Sequence, residues 1–276
     1  MRTRRRGGAA TAPGHTGTAL VTGASSGLGR EFAEQLAARG HALVLVARDQ
    51  TRLEVAADEL RDRYAVSVEV LALDLVDRSA LQRVADRIAD LDRPVDLLVN
   101  NAGFGSRRGF VENDLCDEEA AVDLMVRAVM VLSHAAAQAM RTRGHGGILN
   151  VSSVASFAVM GHYSAIKSYV TVFSEALANE LAPAGVRVTA LCPGFVHTEF
   201  HERAEMNMSK LPEVFWLNAP DVVRAALDDV GAGRVVSVPS ATYKVLVGIL
   251  RVVPRALTRR IAGSLAIRRR PRGGER

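Results

Sequence analysis

The stretch Ala19-Leu-Val-Thr-Gly-Ala-Ser-Ser-Gly-Leu-Gly29 carries the reading of this chain. An apolar strand, Ala19 to Thr22, runs into a turn containing Gly23, Gly27 and Gly29, and a helix follows at once over Gly29 to Arg39. Glycine lets a backbone turn tightly and come close to a diphosphate, which then rests on the unpaired N–H groups of the helix N-terminus. Three glycines alone would equally serve an ordinary strand-to-helix loop; between this strand and this helix they favour a dinucleotide. Gly23, Ser25, Ser26, Gly27, Leu28 and Gly29 are the first candidate cofactor contacts.

Outward from that turn, apolar β-branched runs alternate with longer segments of helical period, the pattern of βαβ units around a buried parallel sheet. Strands are expected at Ala19–Thr22, Ala42–Ala47, Val66–Leu73, Leu97–Asn100, Gly147–Val151, Arg187–Cys192 and Val235–Val238. Helices are expected at Gly29–Arg39, Thr51–Arg63, Ala80–Leu91, Glu118–Arg143, Tyr163–Leu181 and Pro220–Val230. The result is an α/β fold: one doubly wound, seven-stranded parallel sheet in a single domain over 17–240, with a basic tail at 1–16 and a basic amphipathic extension at 241–276.

The second strand ends at Ala47-Arg48-Asp49, where a side chain meets the adenosine ribose. An acidic residue there bonds the 2′-hydroxyl, whereas arginine accommodates a 2′-phosphate. Arg48 comes first, so NADP(H) is preferred over NAD(H). Asp49 competes for the position but also suits the N-cap of the helix beginning near Thr51.

With 48% hydrophobic and 24% charged residues, the 276-residue chain has the composition of an ordinary globular domain, which argues against wholesale disorder and against a membrane-spanning bundle. Its net charge of +5 is unevenly spread: +4 lies in the first six residues and +9 from Tyr243 onward, so the body between them is acidic. Cys116 and Cys192 belong to no CxxC pair or Cys/His cluster, which predicts no disulfide framework, no metal site and a cytoplasmic setting. No apolar run of signal type follows the N-terminal arginines, and none reaches the roughly 18 to 20 residues of a bilayer span.

Thr22-Gly-Ala-Ser-Ser-Gly-Leu-Gly29, Asn100-Asn-Ala-Gly103, Ser153, Tyr163-Ser-Ala-Ile-Lys167 and Pro193-Gly194 follow in an order and spacing that resembles the short-chain dehydrogenase/reductase family, over roughly Thr18 to Val238. The resemblance implies a Rossmann-type fold and hydride transfer between a nicotinamide and a carbonyl/alcohol pair, with Ser153, Tyr163 and Lys167 catalytic. It implies Asp74 by the adenine, Asn100 by the ribose, and Pro193 through Thr198, with Gly194 and Val196, around the carboxamide; Leu75, Ala102 and Gly103 join the cofactor contacts. Ser152 is the alternative to Ser153. Asp74 also reads as a helix cap, and Pro193-Gly194 as a strand-ending turn.

The chemistry stands without the likeness. Hydride transfer to a carbonyl leaves an oxygen that must take a proton, and the reverse reaction must remove one. A free tyrosine titrates near pH 10, and a nearby ammonium favours its phenolate. Residues four apart on a helix share a face, so Lys167 lies beside Tyr163. Lysine is also scarce: Lys167, Lys210 and Lys244 are the only three among 35 lysines and arginines.

Two features depart from the family pattern. Met125 stands where many members hold an asparagine that serves a water-linked proton relay behind the lysine, and a thioether cannot donate a hydrogen bond. The stretch from Ser153 to Tyr163, ten residues, is a few residues short.

In proteins of this resemblance the segment Glu199–Leu217 closes over substrate. Its Met206, Met208, Leu211, Phe215, Trp216 and Leu217 suit an apolar ketone, aldehyde or alcohol, or else packing on the body or on a partner subunit of the expected homo-oligomer. From Tyr243 to Ile267, apolar residues interleave with Arg251, Arg255 and Arg259, and Pro254 breaks the run. Such a basic amphipathic segment suits an anionic membrane surface or docking on its own subunit. No nucleic-acid reading motif accompanies the charge. The expectation is an NADP(H)-dependent oxidoreductase; its rival, which Met125 favours, is a low-turnover NADP-binding scaffold or redox-sensing regulator.

Overall fold

The computed structural model describes residues 16–105, 109–198 and 212–254, together with 256 and 259. Its strands are β1 (Thr18–Thr22), β2 (Ala42–Ala47), β3 (Val68–Ala72), β4 (Leu97–Asn100), β5 (Gly146–Val151), β6 (Val186–Leu191), β7 (Phe195–Val196), β8 (Trp216–Leu217) and β9 (Val236–Ser237). Its α-helices are α1 (Gly27–Ala38), α2 (Gln50–Tyr64), α3 (Arg78–Ala89), α4 (Leu115–Val122), α5 (Ala128–Arg143), α6 (His162–Leu181), α7 (Ala219–Gly231) and α8 (Ala241–Val252).

Seven strands form one parallel sheet in the order β3-β2-β1-β4-β5-β6-β9. Alternation along each strand feeds two cores. Ala19, Val21, Leu43 and Leu45 face α1, α2 and α7, while Leu20, Val44, Leu98 and Ile148 face α3, α5 and α6. The chain reverses its direction of winding between β1 and β4, and the carboxyl ends of strands flanking such a switch point form a ligand crevice. The turn after β1 and the segments after β4, β5 and β6 all open there.

Strand limits agree with the sequence reading to within one or two residues. The helix expected as continuous over Glu118–Arg143 is interrupted: Asp123–Arg127 is a π turn, with Ala128 N bonding the carbonyl of Asp123 five residues back. Arg127 closes that turn by pairing with Asp123 at 2.9 Å and donating to Val76 O at 2.7 Å. Residues 115–143 are long and apolar enough to cross a membrane, but Ala128, Leu132, Ala136 and Met140 pack beneath the sheet. The C-terminal helix α8 ends at Val252, before Pro254, because proline disfavours helical backbone in the residue ahead of it. Much of the basic tail, including 260–276, lies outside the described residues.

Candidate active site

The glycine turn is built for close approach. A Cβ at Gly29 would stand 2.1 Å from Gly23 O, so only glycine lets α1 begin so near the end of β1. Gly27 has φ +54°, a left-handed conformation that favours glycine, and its Cα faces Thr198, whose Cβ lies 3.4 Å from the position of an added methyl. Ser26, the N-cap of α1, makes no side-chain capping bond. With amides at the start of α1 and glycines that allow close approach, the turn fits a dinucleotide diphosphate.

Thr22 and Asn101 fix this turn to the end of β4. The Thr22 hydroxyl accepts from Asn101 N at 2.9 Å and Ala102 N at 3.0 Å. Asn101 Nδ2 donates back to Thr22 O at 2.9 Å. Neither residue stood among the expected site residues. The asparagine doublet directly after a strand was the available signal.

Asn100 turns its side chain into the core, where Nδ2 donates to Asn150 Oδ1 at 2.8 Å and Ser133 Oγ at 3.1 Å. Asp49 accepts from Arg52 N at 3.0 Å and caps α2, while Arg48 stays exposed at the end of β2. Ser25, Arg30, Thr51 and Arg52 line an open hollow of about 330 Å³. Asp74 bonds Val76 N at 3.0 Å in a local turn, and Leu75 is buried. The cap of α3 is Asp77, which accepts from Ala80 N at 2.7 Å, not Asp74.

Of the two serines after β5, Ser152 is buried, with its hydroxyl on Lys167 O at 2.8 Å and Thr171 Oγ1 at 2.7 Å. Ser153 is partly exposed and hydrogen-bonds the Tyr163 phenol. One turn along α6, Lys167 is buried, with Nζ donating to Val151 O at 2.8 Å and 5.6 Å from the centre of the Tyr163 ring. The structure therefore brings Ser153, Tyr163 and Lys167 together.

The electrostatics differ from expectation. Burial pushes the Tyr163 phenol above its ordinary value, and the opposing influence is the hydrogen bond from Ser153, not the lysine. Burial also lowers Lys167 to about 8.

Met125, on the π turn, is 2% exposed and packs with Ala121, Ile166 and Tyr163. Its Sδ lies 3.1 Å from where a Cβ on Gly103 would be. Across the crevice, Pro193 O accepts from Val154 N at 3.0 Å, and β7 pairs with β8 through Phe195–Trp216 and Val196–Leu217. His197 stacks on Trp216 with ring centres 4.4 Å apart. A Cβ on Gly194 would meet the Tyr243 ring at 2.0 Å. Tyr243 OH bonds Phe195 N at 3.2 Å and Phe215 O at 2.8 Å, so α8 braces this wall. Met206, Met208 and Leu211 lie outside the described residues.

A dinucleotide turn at a switch point, facing a Ser, Tyr and Lys group, defines the class: a nicotinamide-dependent oxidoreductase. Residues 17–209 match the short chain dehydrogenase family model, and the chain belongs to that family. It is similar to a short-chain dehydrogenase from Sphingobium yanoikuyae in complex with NADPH, with TM-score 0.78 and 35% identity, covering 87% of this chain and 97% of the other. It is also similar to a bulky-bulky ketone specific alcohol dehydrogenase from Comamonas testosteroni, with TM-score 0.74 and 32% identity over 94% and 97% of the two chains. Galactitol 2-dehydrogenase (L-tagatose-forming) from Cereibacter sphaeroides is 34% identical over 82% of this chain and 89% of its own.

Proposed function

We propose that this chain is an NADP(H)-dependent reductase of apolar ketones or aldehydes, acting in the cytoplasm as a homo-oligomer. The observation that carries the reading is the contact of Ser153 with Tyr163 one helical turn before Lys167. The nicotinamide, when bound, supplies the hydride. Tyr163 gives its phenolic proton to the substrate oxygen, and Ser153 holds that oxygen by its hydroxyl. The phenol is protonated at neutral pH, the form that reduction requires of its donor. Lys167 sets its positive charge near the phenolate that remains.

Exposed Arg48 and the hollow lined by Ser25, Arg30 and Arg52 favour a 2′-phosphate. The likeness to a bulky-ketone enzyme favours an apolar substrate. The test is NADPH against NADH oxidation with aliphatic and aryl ketones and a polyol control. Arg48→Ala is expected to raise KM for NADPH about tenfold and leave NADH unchanged; equal effects on both would contradict the cofactor choice. Met125, which cannot donate into a relay, supports the second reading of a low-turnover NADP-binding scaffold or redox-sensing regulator. We also assign the exposed face of α8, with Val245, Ile249 and Val252 beside Lys244 and Arg251, to an anionic membrane surface.

A further inference from the structure

The first turn of α6 carries the phenol of the proposed reaction, yet no side chain caps it. Gly161, ahead of the helix, has φ +79° and makes no side-chain capping bond. One tie runs back from within the helix, with Met160 N donating to Ser164 Oγ at 3.2 Å. A second comes from α4. His162, the first residue of α6, meets the carboxylate of Glu118 through Nδ1, and Glu118 Oε1 also accepts from Asn113 Nδ2 at 2.8 Å. The His162 ring in turn meets Phe110 edge to face, with ring centres 5.4 Å apart.

Glu118 is only 4% exposed, and burying a carboxylate is costly unless partners match it. It stands one and two turns ahead of Ala121 and Met125, which pack with Tyr163 and Ile166. One strip of helix thus touches His162 through a hydrogen bond and Tyr163 through packing. Met125 can supply no polar hold at this point.

Resting on the reading of Tyr163 as proton donor, we infer that Glu118 and His162 form a positioning pair that fixes the first turn of α6 and holds the Tyr163 phenol toward Ser153. Neither residue touches the reacting atoms. Phe110, leaning on His162, ties the segment before α4 to the same device.

The test compares Glu118→Gln, His162→Gln and the double variant with the parent, using NADPH oxidation with the ketone panel and NADPH binding by fluorescence. Glu118→Gln keeps shape and the bond to Asn113 while removing the charge. Each single variant is expected to lose about tenfold in kcat, with KM and NADPH affinity within about twofold. The double variant should fall no further than the worse single, the mark of one coupled unit. Phenolate absorbance, taken as the difference from Tyr163→Phe, should show Tyr163 titrating at lower pH in Glu118→Gln as its enclosure loosens.

Should Glu118→Gln fail to bind NADPH, the partly exposed His162→Gln carries the comparison, and the phenol titration decides if no ketone turns over. An unchanged kcat, an unchanged phenol titration, or losses that multiply in the double variant would overturn the inference. Tyr163→Phe separates the two claims. If it alone loses activity, only the pair is wrong; if it keeps activity, the reading of the site fails first.

Discussion

Lys167 enters the fold at a cost that its surroundings only partly offset. Its Nζ has one carbonyl, Val151 O, at 2.8 Å, and burial brings the group from 10.5 to about 8. Between those values the unfolded chain holds a proton that the folded chain has released, so this residue makes stability rise with pH through that window. Below about pH 8 the folded protein carries the charge and the full penalty. Lys167→Met, without cofactor, is expected to be about 2 kcal/mol more stable than the parent at pH 7, after allowing for the lost bond to Val151. The gain should fade as pH approaches 10.5. Urea unfolding at both ends of the window checks it, and a less stable variant at pH 7 would contradict it. The Tyr163–Lys167 spacing was legible because a helix puts residues four apart on one face. Asp49 as the cap of α2 was legible because capping is local. Asn100 was not: β4 is buried along its whole length, so no polar alternation marks which way a side chain at its end turns.

At the scale of elements, Asn100 belongs to a buried chain of polar groups. Asn150, its register partner on β5, donates to Ser174 Oγ at 2.9 Å, which bonds Val170 O at 2.7 Å, while Ser133 on α5 sits on Asn100. The chain joins the centre of the sheet to α5 and α6, the helix that carries Tyr163 and Lys167. Because its members are almost fully buried, removing one leaves others without partners. Asn150→Ala is expected to cost about 3 kcal/mol, read as a lowered denaturant midpoint; a loss under about 1 kcal/mol would show that the groups find other partners. The seven strands and their order of helices were readable from alternating runs, but the π turn at Asp123–Arg127 was not. It depends on Arg127 reaching Val76 O, 51 positions away in sequence, and on Met125 packing near Gly103. Such long-range contacts leave no mark in helical periodicity.

Across the whole molecule, α8 connects the crevice wall to the basic C-terminal region. Its inner face, Tyr243 and Val247, packs with Ala190, Cys192 and Val238, while Val245, Ile249 and Val252 stand exposed. Removing the helix would strip Tyr243 from Gly194, so the proposed membrane face is better tested with Val245→Asp combined with Val252→Asp. Pelleting with phosphatidylserine vesicles should fall severalfold in that variant, and equal pelleting of both proteins would end the membrane assignment. The reading of the molecule as an NADP(H)-dependent reductase rests most directly on one proton donor. The decisive measurement is kcat for NADPH-dependent reduction of an apolar ketone by the parent chain and by Tyr163→Phe, with NADPH affinity measured alongside. The account predicts a fall of roughly 10² to 10⁴ in kcat with affinity held within about twofold; a Tyr163→Phe protein that turns over at the parent rate would contradict it.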